Sequence, residues 1–189
     1  MNYNEWVKDG FAVRTSFNGV VNRLITDVTI ICKPELCSDG KPHIKKIKAL
    51  WDTGASASSI DKQLAKEMCL VPIGKGIVSH ANGQSVVNRY TFDFALHNAF
   101  VLNIPSASEG VFTGGDFQMI IGMDIIAHGD FFFGQYEKEG KPCSYFTFSI
   151  PCIDRKIDFV EELNSKRRAS AQSYERVQRI NSKKKKKKR

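Results

Sequence analysis

Asp52 ends an apolar run, Ala49-Leu50-Trp51, and opens the string Asp52-Thr53-Gly54-Ala55-Ser56. A carboxylate at the end of a hydrophobic strand is costly unless a polar group satisfies it. Thr53 offers a hydroxyl, and Gly54 lets the backbone turn closely beneath the carboxylate. Such an Asp is suited to acid–base work. The same three residues would also serve as a plain Asx-type turn closing a strand. A second string lies about seventy residues on: Met119-Ile120-Ile121-Gly122-Met123-Asp124-Ile125-Ile126. It reads as an apolar strand, a Gly and a short turn or helix, and by itself is equally an ordinary buried strand.

Other reactive side chains form no comparable pattern. His43, His80, His97 and His128 are scattered, without HxxxH spacing or a Cys–His cluster, so no metal or cofactor is expected. Cys32, Cys37, Cys69, Cys143 and Cys152 are odd in number and lack CxxC pairs. They exclude a fully paired disulfide scaffold and favour a reducing, cytoplasmic setting. Cys69, beside Leu70 at a helix end, is the expected core cysteine.

The elements that must position Asp52 are mostly strands. Between Phe11 and Ile150, short runs of Val, Ile, Phe, Tyr and Thr are separated by Asn18-Gly19, Asp39-Gly40, Asn82-Gly83, Gly114-Gly115 and Glu139-Gly140. Strands are predicted at Val20–Cys32, Ile44–Trp51, Val86–Leu96, Phe100–Ile104, Met119–Ile121, Phe131–Phe133 and Tyr145–Ile150. A helix is predicted over Asp61–Met68 and a short turn from Gly122. Ser106–Phe117 reads as a surface loop. The fold class is all-β, a small closed or sandwiched barrel with one or two short helices.

Taken together, the two strings resemble the retropepsin-like aspartic proteases, the single-domain relatives of pepsin, and are most similar to cellular and bacterial members with Gly-Met-Asp in the second motif. The resemblance runs from Phe11 to Ile150 and includes a short helix at Leu64–Leu70 and a flap hairpin at Ile77–Tyr90. It implies a closed-barrel acid protease fold and an aspartic endopeptidase acting on peptide or protein substrates. Two carboxylates then share one proton and activate a water between them. This chain has one Asp-Thr-Gly, so the resemblance implies a homodimer with one Asp52 from each subunit. It assigns Asp52, Thr53 and Gly54 to catalysis, with Thr53 locking the two loops together. Ala55, Ile77, Asn82, Gly83, Val86, Ile121 and Gly122 are implied to face substrate, with Gly83 near the flap tip. Many viral members carry Arg after the second-motif Gly and Asp four positions after the catalytic Asp. Met123 and Ser56 stand there instead. Two other readings remain open at this point: a silent peptide-binding module of the same fold, and a polyanion-binding adaptor.

The adaptor reading comes from the charge distribution. Of 189 residues, those from Arg155 onward hold fourteen Lys/Arg and four Asp/Glu, net +10, leaving the rest at net −2. The sequence divides into a protease-like domain over residues 1–152, a helical extension over 153–182 and a disordered polybasic segment over 183–189. Lys183–Arg189 could hold an acidic partner or nucleic acid by Coulomb attraction, or be only a solvated tail. No apolar stretch reaches the roughly 20 residues of a membrane span. The N-terminal sequence lacks the layout of a signal peptide.

Overall fold

The computed structural model describes residues 10–80, 83–96, 100–112, 114–152 and 158–170. The chain divides into two compact units, Met1–Ile153 and Asp154–Arg189. In the first unit the strands are β1 (Phe11–Phe17), β2 (Leu24–Cys32), β3 (His43–Trp51), β4 (Ser59–Asp61), β5 (Gly74–His80), β6 (Gly83–Leu96), β7 (Phe100–Gly110), β8 (Met119–Ile121), β9 (Asp130–Lys138) and β10 (Lys141–Ile150). Two short helices, α1 (Lys62–Glu67) and α2 (Met123–Ile126), punctuate them.

Six strands close on themselves. Hydrogen bonding runs β2-β3-β8-β4-β7-β6, and β6 returns to β2 with Val28 opposite Leu96 and Ile31 opposite Asp93. Closure pairs every strand of the ring and removes the sheet edges that would otherwise seek partners. Alternation along β2 and β3 sends Val28, Ile30, Ile47, Ala49 and Trp51 inward. They meet Ile60, Phe92, Phe94, Ile104, Met119 and Ile121, all fully buried. β5 stands outside the ring and, among the described residues, pairs with β6 alone.

A second sheet, β1-β10-β9, packs its aromatic face on Trp51. The indole lies 4.9 Å from the Phe148 ring, 5.1 Å from Phe146 and 6.1 Å from Phe131, centroid to centroid. Its Nε1–H donates to Thr26 Oγ1 at 2.9 Å, so the buried polar atom is satisfied. The residue before Asp52 is therefore an anchor between the two sheets.

Several elements differ from the sequence expectation. β2 begins at Leu24 rather than Val20, because Val21 N–H donates to Ser144 Oγ and Ser144 N–H to Gly19 O. Those bonds hold the segment against β10 and off the ladder. β7 continues to Gly110 through part of the expected loop, since Ser108 pairs with both Ser59 and Arg89. α1 is shorter than the helix expected at Asp61–Met68: the Asp61 carboxylate caps it by accepting from Gln63 N–H and Leu64 N–H. Cys69 is not the core cysteine. It takes a left-handed conformation (φ 52°) just past the helix and is half-buried, whereas Cys32, Cys37 and Cys143 are buried. All five thiols are free.

In the second unit, residues 159–170 form a helix, α3. Asp158 Oδ1 accepts from Val160 N–H and Glu161 N–H at its start, and Lys166 pairs with Glu162 one turn apart. The polybasic segment Lys183–Arg189 lies outside the described residues. Among the described residues, no helix is long and apolar enough to cross a membrane.

Candidate active site

Asp52 follows directly on β3, and its backbone N–H donates to Ile121 O at 3.0 Å. β3 and β8 run parallel here, with Trp51 opposite Ile121, so the two sequence motifs leave the barrel side by side. Ala55 N–H closes a tight turn onto Asp52 O at 3.2 Å. Within that turn Gly54 N–H donates to Asp52 Oδ1 at 2.9 Å. A backbone donor this close orients the carboxylate without another charged side chain.

The second motif grips the turn from below. Met123 N–H donates to Ala55 O at 2.8 Å. The Asp124 carboxylate accepts from Ser58 N–H at 2.9 Å and from Ser58 Oγ–H at 2.7 Å. Ser58 Oγ in turn accepts from Gly122 N–H at 3.1 Å. Gly122 is required by close approach: a Cβ there would lie 2.6 Å from the Ala57 carbonyl carbon and 2.9 Å from Ala55 O. Ser58 and Asp124 were not singled out as site residues in the sequence. The only hint was the Gly-Met-Asp triplet, and nothing marked Ser58 as its partner.

Asp52 and Thr53 border an open cleft of about 470 Å³. Leu50, Trp51, Phe131 and Phe133 supply apolar wall, and Val21, Asn22, Arg23 and Leu24 the remainder. The Arg23 guanidinium, half-exposed, donates to Asp116 Oδ2 at 2.6 Å. A cleft of about 490 Å³ against Thr15, Asp27, Lys46 and Lys48 does not include Asp52. We regard the smaller one as the site because it contains the carboxylate.

β5 and β6 form a hairpin with Ile77 opposite Val86 and His80 opposite Gly83. Ile77 and Val86 are 63% and 69% exposed, an apolar pair held out in solvent. Gly83 has φ 123°, a conformation natural to glycine, where β6 begins. Asn82 lies outside the described residues. At the hairpin base, Glu109 accepts from Tyr90 OH at 2.8 Å and from Asn88 Nδ2 at 3.0 Å. Burial alone would raise the Glu109 carboxyl; these hydrogen bonds and the Lys62 ammonium outweigh it and hold it below the usual value.

Thr53, Gly54 and Ala55 thus sit on the same turn as Asp52, with Thr53 and Gly54 exposed. Two expected substrate-facing residues are placed elsewhere. Ile121 is fully buried among the barrel side chains, because its position on β8 points it into the core. Gly122 is buried beneath Ala55 and Ala57, where it supports the turn rather than facing a ligand.

Comparison with known proteins agrees with the motif reading. The sequence model of the family described as "gag-polyprotein putative aspartyl protease" matches residues 39–128, just under half of the chain. No curated protein matches by sequence. Among solved structures, a retropepsin-like aspartic protease from Rickettsia conorii superposes with a TM-score of 0.43 and 12% identity, covering 75% of this chain and 96% of its own. The simian foamy virus (mac) protease gives a TM-score of 0.37 and 13% identity, covering 55% and 92%. The fold assignment rests on the strand pairing, and the relationship on the matched sequence. The matched stretch, residues 39–128, contains both the Asp52 turn and the Gly122-Met123-Asp124 motif, and over it the sequence is similar to that aspartyl protease family.

Proposed function

We propose that the chain is an aspartic endopeptidase whose active unit is a homodimer, with Asp52 of each subunit meeting its mate on the two-fold axis. The observation that carries this reading is the Asp52 carboxylate, oriented by Gly54 N–H on an exposed turn at the edge of an apolar cleft. In the dimer the two carboxylates share one proton, because adjacent like charges cannot both ionise. The ionised Asp52 takes a proton from a bound water. The protonated Asp52 polarises the scissile carbonyl, and no covalent intermediate forms. Thr53 stands where a residue can bridge the two turns. Gly54 and Ala55 lie along the path of an extended peptide, and Ile77 and Val86 supply an apolar cover as the hairpin closes. Substrate in such a cleft binds as an added strand, read through alternate side chains.

The test is cleavage of a mixed peptide library from about pH 4 to 7, where a coupled carboxylate pair carries one proton. Wild type and Asp52→Asn are run side by side, with the oligomeric state measured for both. Cleavage by wild type alone, from a dimer, is expected. Equal cleavage by Asp52→Asn overturns the mechanism. Binding of library peptides without turnover by either protein turns the assignment to a peptide-binding module.

A further inference from the structure

The proposed chemistry leaves unused a cluster at the opposite end of β3. His43 begins that strand and faces Cys32, the last residue of β2. The connection between them makes a 3-10 turn over Pro34–Leu36 and then brings Cys37 beside Leu70, just past α1. Cys37 Sγ, a carboxylate oxygen of Asp39 and His43 Nε2 all lie within 4.8 Å of one another. The two Asp39 oxygens are 3.0 and 3.1 Å from His43 Nε2. The Cys37 thiol donates to Lys33 O at 3.3 Å, and the fully buried Cys32 thiol is hydrogen-bonded to Cys37. A thiol, an imidazole and a carboxylate thus converge from three points of one connection.

That donor set suits one ligand chemistry. Tetrahedral zinc holds sulfur at about 2.3 Å and nitrogen or oxygen at about 2.0–2.2 Å, which spaces its ligands roughly 3.3–3.8 Å apart. The Asp39–His43 edge, at 3.0 Å, is shorter than that, so the exposed carboxylate must turn aside to admit the ion. Cys37 Sγ lies within 4.8 Å of the other two donors, so an approach of at most about 1 Å completes the face. Cys32 stands behind Cys37 as the outer partner that orients a metal-bound sulfur. Mixed sulfur, nitrogen and oxygen donors select zinc-class cations over magnesium or calcium.

We propose that Cys37 Sγ, His43 Nε2 and one Asp39 oxygen bind a zinc-class divalent cation, with solvent in the fourth position. Binding replaces the Cys37 thiol proton, which leaves to solvent, and takes His43 as neutral imidazole. The ion ties the β2–β3 connection to the first residue of β3, next to the point where Ser38 N–H already donates to Cys69 O at 2.7 Å.

The test uses the full chain, reduced and stripped with chelator, titrated with Co²⁺ and then with Zn²⁺. One equivalent of Co²⁺ is expected to give a thiolate-to-cobalt charge-transfer band and tetrahedral visible bands, both lost as Zn²⁺ displaces it. Cys37→Ser is expected to remove the charge-transfer band and weaken Zn²⁺ at least about 100-fold, beyond the cost of losing an outer partner. Asp39→Asn, on the exposed turn, preserves the fold even if Cys37→Ser does not, and is expected to weaken Zn²⁺ about 10-fold or more. Cys152→Ser is expected to bind as wild type. No saturable uptake, an undiminished charge-transfer band in folded Cys37→Ser, or wild-type affinity in Asp39→Asn would each overturn the proposal.

Discussion

β3 carries a reactive cluster at each end, and the two ends are built differently. At the Trp51 end, Asp52 is held by backbone: Gly54 N–H on its carboxylate, Ile121 O on its own N–H, and Gly122 packed beneath the turn. At the His43 end, side chains from the β2–β3 connection and from the first residue of β3 converge, and two of them, Asp39 and His43, are partly open to water. Backbone positioning fixes geometry through many shared bonds, so one substitution is felt by the whole turn. Side-chain convergence leaves each group free to rotate, which suits a site that closes only when something binds.

The largest expected effect separates chemistry from scaffolding at the Trp51 end. Asp52→Asn keeps size and can still accept from Gly54 N–H, but cannot share a proton. Turnover is expected to fall about 10²–10⁴-fold, the usual worth of a positioned acid or base. The thermal midpoint should be nearly unchanged. Peptide cleavage and a melting curve on the same preparation check this, and a collapsed fold would mean that the carboxylate charge is part of the scaffold.

Gly122→Ala tests the interlock itself. The added methyl meets the Ala57 and Ala55 backbone, which cannot swing away like a side chain. A destabilisation of about 1–3 kcal/mol is expected, together with a lower kcal-independent measure, the turnover per folded molecule. Asp124→Ala comes next. It strips both Ser58 donors of their acceptor in a half-buried place. A loss of about 1–3 kcal/mol is expected in denaturant unfolding, with Ser58→Ala partly masking it in a double-mutant cycle. Full additivity of the two would show that Ser58 and Asp124 do not act as one unit.

The contrast between the ends also explains what could be read in advance. The Asp52 turn was legible because its parts are contiguous and each residue type has a local reason: apolar strand, carboxylate, hydroxyl, glycine. Strand positions followed from runs such as Ala49–Trp51 and Met119–Ile121. β4 escaped because Ser59-Ile60-Asp61 is too short to show a period, and β5 was expected only from Ile77, as the first arm of the flap hairpin, because Gly74 and Gly76 dilute its pattern. The Ser58–Asp124 bonds join residues 66 apart, and no spacing rule connects them. Cys37, Asp39 and His43 meet because of a 3-10 turn and a strand register, neither of which a scattered cysteine or histidine announces. Ile121 lies in a motif whose resemblance implies a substrate-facing role, while period-2 alternation on β8 sends its side chain into the core.

The smallest predicted effect concerns acid. The β5–β6 hairpin rests at its base on Glu109, which is mostly covered and accepts from both Tyr90 and Asn88. Its carboxyl is held below its ordinary value once folded, because those hydrogen bonds and Lys62 outweigh the cost of burial. A depressed folded value means that the unfolded chain takes up the proton first. The stabilisation is therefore present above the ordinary carboxylate value and is lost as pH falls through the folded one. Acid should loosen the hairpin base, where Glu109 holds Tyr90 and Asn88 together. Hydrogen exchange at Tyr90 and its β7 partner Ala107 is expected to quicken over that pH window in wild type. Glu109→Gln, uncharged throughout, should exchange faster at neutral pH and show little further change on acidification. The same acid response in both proteins would mean that another carboxylate governs the hairpin.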